Sequence, residues 1–219
     1  MPGWGNKLRY TALRDFYNIF FFGGILLVKI GDRDRVLEVG CGRNSLMVKS
    51  HLVEKADVTG VDVFQPYIDS HKKDGLYKDC ICGDITKMDF RDKTFDTVVC
   101  MDVIEHLAKE DGVRLLIKMR RWGDRVIITT PNGFTTSDVP FDNNPQMIHV
   151  SGWSVEELQR YGYKVRGLSG WKQLRTDNAQ LRYTFPYLFW AGISLLSEIF
   201  VYYRPEAAWH LLATYEKGG

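Results

Sequence analysis

The sequence predicts an α/β fold, a mostly parallel sheet with helices on both faces. Three observations carry that expectation. Short apolar runs of strand length alternate with helix-patterned segments between about residues 36 and 130. The first run, from Val36 to Val39, empties into Gly40-Cys41-Gly42, a turn that lets backbone approach a ligand. At 219 residues, with 45% hydrophobic and 26% charged, the chain can bury the core of one domain with elaborations.

Residues 8–30 read as one or two helices, with Leu8, Ala12, Leu13, Phe16, Ile19 and Phe20 at helical spacing and Gly23-Gly24 as an interruption. The apolar run from Ile19 to Val28 is too short to span a bilayer. It reads as a helix packed on the sheet or, since it leads into the first strand, as a lid over the glycine turn. After the turn, Asn44 or Ser45 is the expected N-cap of a helix running through Met47 and Leu52. The second strand is Asp57 to Val63, and Cys80 to Asp84 reads as a third. Asp96 to Met101 is the fourth, Asp111 to Met119 a helix, and Arg125 to Thr130 the fifth strand, stopped by Pro131. Repeated strand–helix order favours a parallel sheet, which collects a ligand site at the carboxyl ends of its strands.

The pattern changes beyond Gly133. Thr135 to Pro145 reads as a polar loop or flap. Ser154-x-x-Glu157 is a capping box opening a short helix that ends at Gly162, and Tyr163 to Leu168 reads as an antiparallel addition to the sheet edge. Tyr183 to Tyr203 is apolar and aromatic, but Pro186, Gly192 and Glu198 interrupt it, so a helix docked on the core is expected rather than a membrane span. Contact with lipid, with a greasy substrate or with a second copy is the other reading of this segment. Arg204-Pro205-Glu206 is then expected to open a final short helix carrying Trp209, Leu211 and Leu212.

Charge and cysteine content narrow the function classes. Lys+Arg 29 against Asp+Glu 27 leaves a net charge of +2, which offers no broad field for a nucleic-acid backbone. Arg114, Lys118, Arg120, Arg121 and Arg125 read as a solvated helix face. The four cysteines Cys41, Cys80, Cys82 and Cys100 lack a disulfide-scaffold spacing, and Cys80-x-Cys82 lacks the further ligands zinc needs, so no metal set is assigned. The N-terminus shows no signal-peptide pattern, and a cytoplasmic protein, with membrane association as the variant, is expected.

Four strand ends offer polar groups to one cleft: Glu38 with the glycine turn, Asp62, Gly83-Asp84, and Met101-Asp102. Asp62 lies about twenty residues past the glycines, where an acid can accept both hydroxyls of a ribose. Taken together, the motifs resemble those of the class I S-adenosylmethionine-dependent methyltransferases, in particular the broad small-molecule, type 11-like group. Val36-Leu37-Glu38-Val39-Gly40-Cys41-Gly42 resembles that family's first motif, Gly60-Val61-Asp62-Val63 its second and Cys82-Gly83-Asp84-Ile85 its third. Phe95-Asp96-x-Val98-Val99-x-Met101-Asp102-Val103-Ile104-Glu105-His106-Leu107 resembles the fourth motif and the segment just after it. The likeness spans roughly residues 35–135 and weakens outside them.

The resemblance implies a Rossmann-like, seven-stranded, mostly parallel sheet with one antiparallel edge strand. It also implies S-adenosyl-L-methionine as cofactor. Glu38 would then hold the amino end of the methionine part through water, while Gly40, Cys41 and Gly42 pass beside the methionine and ribose. Asp62 would take the ribose hydroxyls with Val63 beside adenine. Gly83 and Asp84 would meet the adenine amino group, Ile85 would cover the ring, and Met101 would place its backbone near the sulfonium. On this organisation, residues 1–31 form a helical cap, 32–170 the binding core and 171–219 an apolar helical extension.

Methyl transfer from an activated sulfonium needs mainly alignment, but a hydroxyl acceptor must also lose its proton. His106 and His149 are the candidate bases; His51, His71 and His210 read as surface positions. The chain lacks an Asn/Asp-Pro-Pro-aromatic motif, a Pro-Cys nucleophile and a basic RNA domain, leaving a small or lipid-like acceptor methylated at oxygen or nitrogen rather than carbon. Two rivals remain. An NAD(P)-dependent oxidoreductase is close in motif, but Ser45 stands where its fingerprint needs a third glycine or alanine. A cofactor-binding protein without turnover, acting through its aromatic tail, is the other.

Overall fold

The computed structural model describes residues 24–136, 144–177, 180–183 and 185–218. Most of the expected N-terminal cap, residues 1–23, lies outside the described residues, as does much of the expected flap. The elements in chain order are α1 (Gly24–Lys29), β1 (Arg35–Val39), α2 (Leu46–Lys49), β2 (Asp57–Asp62), α3 (Gln65–Asp74), β3 (Asp79–Cys82), β4 (Phe95–Met101), α4 (Lys109–Trp122), β5 (Gly123–Pro131), α5 (Val155–Arg160), β6 (Lys164–Trp171), α6 (Tyr187–Tyr203) and β7 (Ala208–Glu216). One-turn helices at Leu52–Glu54 and Ile104–His106 follow α2 and β4.

The strands form one seven-stranded sheet in the order β3-β2-β1-β4-β5-β7-β6. β1 to β5 pair in parallel; β7 runs antiparallel to both β5 and β6. The expected seven-stranded, mostly parallel sheet is therefore present, and its antiparallel member is β7, one place in from the edge that β6 forms. Successive residues divide between the two faces, as the period of two requires. Leu37, Val98, Ile128 and Leu211 join one core with Leu115, Leu116 and Trp122 of α4 and Val155 and Leu158 of α5. Val36, Val99, Ile127 and Leu212 join the other with Leu26 of α1, Met47 of α2 and Ile68 of α3. With both faces covered, each central strand reads as a near-continuous apolar run. Leu26 and Ile30 lie in the core, so the end of the Ile19–Val28 run packs against the sheet.

Local signals account for several boundaries. Ser154 accepts from the Glu157 N–H while the Glu157 carboxylate accepts from the Ser154 N–H, the capping box that starts α5. The basic run 114–125 is engaged within the fold: Arg114 pairs with Asp111, Lys118 donates to the Thr86 and Met88 carbonyls, Arg120 donates to the Tyr161 carbonyl, Arg121 pairs with Asp89 and Asp92, and Arg125 with Asp34.

The C-terminal expectation needs correcting. Residues 187–203 are helical as expected, but the final short helix is instead β7, inserted between β5 and β6 with Ile127 opposite Thr214 and Pro131 opposite His210. Part of the proposed 171–219 extension thus completes the sheet. Ala208 and the run His210–Ala213 are buried, so the stretch lacks the alternation that marks a half-exposed strand, and a short continuous apolar run fits helix and buried strand equally. Pairing with β5, some eighty residues away, decides the matter. α6 lies against β6 and buries Ser194, Glu198 and Val201, while Leu188, Leu196, Ile199 and Tyr203 stay exposed. Among the described residues, no helix is long and apolar enough to cross a membrane.

Candidate active site

The order of strands reverses between β1 and β4: the chain runs outward to β2 and β3, then returns to place β4 on the other side of β1. The crevice at the carboxyl ends of these strands is where open α/β sheets bind ligands. Its floor is the turn after β1. Gly40 (φ +67°) and Gly42 (φ +53°) both adopt the left-handed conformation, but for different reasons. A Cβ on Gly40 would stand 2.3 Å from Cγ2 of Val103, whereas one on Gly42 would meet nothing nearer than the Gly40 carbonyl oxygen at 3.9 Å. Gly40 admits a neighbouring side chain; Gly42 leaves space on the ligand side.

The turn is pinned from both directions. Asp62, at the end of β2, accepts the Gly42 N–H at 2.9 Å through Oδ2 and the Phe64 N–H at 2.9 Å through Oδ1. His71 Nε2 lies 2.6 Å from the Gly42 carbonyl and donates to it, since a carbonyl can only accept. Each Asp62 oxygen keeps a further lone pair. Val63, next in the chain, is 46% exposed, an apolar side chain placed at the rim. Gly83 donates its N–H to the Asp62 carbonyl, drawing the end of β3 to the same place. Asp84 follows, its carboxylate accepting from the Thr86 N–H and hydroxyl and paired with Lys87; these partners outweigh its desolvation and hold it below the usual carboxylate range. Met101 ends β4, half-buried on the opposite wall.

Three of the assigned residues are buried. Glu38 is buried behind the turn, its carboxylate accepting from the Ser45 hydroxyl at 2.8 and 2.9 Å and from the Tyr77 hydroxyl at 2.6 Å. Through Ser45 it braces the segment that follows the glycine turn. Cys41 is buried in the core beside Gly60, and burial followed by the Glu38 charge drives its thiol pKa far up, so it is inert packing. Ile85 is buried in the other core cluster. Ser45 is the N-cap, accepting from the Val48 N–H, but α2 is only four residues long.

Burial pushes the Glu38 carboxyl up to about 7, against the opposing hydroxyls of Tyr77 and Ser45. A carboxyl whose folded pKa is raised contributes stability that is complete below its ordinary value and is lost as pH rises through the folded value. Stability should therefore fall between about pH 4.5 and 7, by up to roughly 3 kcal/mol. Glu38→Gln should flatten that part of the curve in thermal melts from pH 4.5 to 8; an unchanged slope would place the titration elsewhere.

The wall formed by β4, β5 and β7 is the part that sequence patterns left unread. Asp102 adopts φ +55°, a conformation rare for residues other than glycine and concentrated at functional sites. Its Oδ1 accepts from Thr129 at 2.8 Å and lies 2.6 Å from His210 Nε2. Desolvation is outweighed by His210 and Thr129, and the carboxyl stays below its ordinary range. His210 and His71, expected at the surface, are both buried, whereas His51 is exposed as expected. No sequence pattern could announce the Asp102–His210 pair, because 108 residues separate its members.

Both candidate bases reach this wall. His106 and His149 meet edge to face with ring centroids 4.7 Å apart. His106 Nδ1 lies 3.1 Å from the Ile148 carbonyl, and His149 Nδ1 lies 2.9 Å from both the carbonyl and the hydroxyl of Thr135; donation to the carbonyls puts the proton on Nδ1. Burial lowers the His106 pKa, opposed by the Ile148 carbonyl, and keeps the ring neutral near pH 7. Glu105, buried beside them, accepts from Thr130 through Oε2 at 3.0 Å, while its Oε1 is buried without a partner among the described residues. Burial first, and the Asp102 charge second, raise its carboxyl pKa well above the ordinary value. The backbone brings these groups together: the Val150 and Ser151 N–H groups donate to the Glu105 carbonyl at 2.9 and 3.0 Å. Two open concavities of about 470 and 410 Å³ lie at the other end of the sheet and are lined largely by paired charges such as Arg121–Asp89 and Arg125–Asp34. They lack the converging strand ends of the cleft.

Residues 37–124, which hold the glycine turn, Asp62, Asp84 and Asp102, match the family described as "Methyltransferase domain". Over this segment, about two fifths of the chain, the protein is similar to a methyltransferase domain. An uncharacterized methyltransferase of Schizosaccharomyces pombe is 31% identical to this domain over 121 residues, 50% of this chain and 41% of that protein. The ubiquinone biosynthesis O-methyltransferase of Rickettsia conorii is 29% identical over 152 residues, 67% of this chain and 51% of that protein. The chain thus aligns with about half or less of these relatives' lengths. A SAM-dependent methyltransferase structure from Archaeoglobus fulgidus shares the fold of the methyltransferase domain at TM-score 0.55, with 18% identity over 94% of this chain and 99% of that one.

Proposed function

We propose that the chain is a methyltransferase that uses S-adenosyl-L-methionine to methylate a small or amphiphilic acceptor, at oxygen or nitrogen rather than carbon. The observation that carries this reading is the joint between β1 and β2. Asp62 holds Gly42 open beside its own carboxylate, with Val63 exposed next to it. Such a joint suits a ribose bearing two free hydroxyls and a flat base. Gly83 and Asp84 extend the same wall, and the backbone at Met101 closes it on the β4 side. The cofactor would supply an activated methyl group; the chain's part is to align it with the acceptor and to exclude water.

The acceptor side is the wall of Asp102, His106 and His149. A neutral histidine there can take a proton from a hydroxyl. The exposed apolar side of α6 supports an amphiphilic acceptor or a peripheral contact with lipid. The shortness of α2, four residues, argues against a dinucleotide, since a pyrophosphate relies on the N–H groups and dipole of a helix N-terminus.

Calorimetry with S-adenosylhomocysteine is the direct test, with binding expected in the micromolar range and no binding of NAD or NADP. Methyl-labelled cofactor should then pass label to a component of a lipid-containing metabolite extract. Failure to bind S-adenosylhomocysteine at high micromolar concentration overturns the reading.

A further inference from the structure

We propose that Glu105, His106 and His149 form a divalent-cation site whose open positions take the oxygen of a hydroxylated acceptor. The inference rests on the methyltransferase reading and narrows its acceptor to a phenol, catechol or alcohol.

Three independent features of the wall support the site. A ligating atom from each of the three side chains lies within 4.8 Å of the others. Nδ1 of each histidine lies beside a backbone carbonyl, Ile148 for one and Thr135, together with its hydroxyl, for the other, and donation to that carbonyl leaves Nε2 with its lone pair. Histidines that bind metals are held by this kind of outer bond. Glu105 supplies the third feature. It is 2% exposed, Thr130 orients it through Oε2, and Oε1 has no hydrogen-bond partner among the described residues. An unpartnered carboxylate oxygen is costly to bury, and a cation beside two lone-pair nitrogens would satisfy it. Asp102 adds negative charge on the same side.

Ligands on one such ion sit about 2.0–2.2 Å from it, hence roughly 3 Å apart, so closure asks for side-chain movements of the order of 1 Å. Two imidazoles and one carboxylate suit a first-row ion such as Mn²⁺, Fe²⁺, Co²⁺ or Zn²⁺ better than Ca²⁺. Three protein ligands leave coordination positions open, the arrangement of a catalytic rather than a structural centre.

The open positions discriminate among acceptors. An amine held there would have its only lone pair occupied, whereas a coordinated oxyanion keeps lone pairs free to attack. In the transfer, with both histidines serving as ligands in place of a base, the acceptor hydroxyl loses its proton to water, its oxygen forms the new C–O bond, and the electron pair of the broken C–S bond stays on sulfur.

The test uses the full chain, stripped with EDTA and titrated with Co²⁺ followed by its visible absorption, and with Mn²⁺ followed by loss of the free-ion resonance signal. One ion per chain is expected, with affinity reduced at least about tenfold in His149→Ala and in His106→Ala. Glu105→Gln, which preserves volume in the buried position, should weaken binding similarly. Calorimetry with S-adenosylhomocysteine on the same samples should change less than about twofold, because Asp62 and the glycine turn are untouched. 4-Nitrocatechol should show the red-shifted spectrum of its anion with loaded wild type and not with loaded His149→Ala. Saturable binding that survives the His106→Ala/His149→Ala pair, or no binding at all, overturns the site. An unshifted nitrocatechol spectrum overturns the acceptor assignment. Loss of metal binding with intact S-adenosylhomocysteine binding leaves the methyltransferase reading standing, and the reverse result sinks that reading instead.

Discussion

Replacing Asp62 by alanine should lower affinity for S-adenosylhomocysteine by about a hundredfold or more. The carboxylate has two duties at once. It accepts the Gly42 and Phe64 N–H groups, fixing the shape of the glycine turn against the end of β2. It would also accept the two ribose hydroxyls with its remaining lone pairs. A hydrogen bond to a charged group contributes about 1.5–3 kcal/mol, and about 1.4 kcal/mol is tenfold in affinity. Loss of both duties therefore corresponds to about 3 kcal/mol. Asp62→Asn keeps the shape and one acceptor oxygen, and should cost about tenfold. Melting temperature, measured alongside, separates a collapsed turn from a lost ligand contact. Unchanged binding in Asp62→Ala would remove the ribose from this corner.

The second large effect is expected at Gly40. Alanine there must adopt φ +67° and place its Cβ 2.3 Å from Cγ2 of Val103, well inside contact distance. The turn cannot back away freely, because the Gly40 and Cys41 N–H groups are both bonded to the Val61 carbonyl. Left-handed strain costs about 1–2 kcal/mol and overpacking typically 1–3 kcal/mol, so Gly40→Ala should destabilise by about 3–4 kcal/mol. For a chain of this size that lowers the melting temperature by roughly 10 °C. Adding Val103→Ala removes the clashing methyl but not the backbone strain, so the double variant should recover about half of the loss beyond its own cavity cost. A neutral single variant, or a double variant that simply sums the two losses, would contradict the packing described for this turn.

The site was unevenly legible in the sequence. Asp62, Val63, Gly42, Asp84 and Met101 share one crevice because each lies at or just beyond the end of a parallel strand, and the topology brings such ends together. Glu38, Cys41 and Ile85 belong to the same motifs yet are buried. A motif lists neighbours in sequence, while strand alternation and packing decide which of them faces the ligand. At Glu38 the motif does not reveal that Tyr77, thirty-nine residues away, donates its hydroxyl to the carboxylate. His210 reads as superficial because β7 reads as helical, and one wrong element carries the histidine with it.

The sequence by itself determined the α/β class, the sequential strands β1 to β5, the capping box of α5 and the glycine turn with Asp62. These follow from local patterns, short-range chemistry and a spacing of twenty residues. Only the tertiary structure decided that residues 208–216 form a strand, that Asp102 meets His210, and that Glu105, His106 and His149 converge. Each depends on contacts between segments far apart in the chain, where burial and long-range pairing outweigh local propensity.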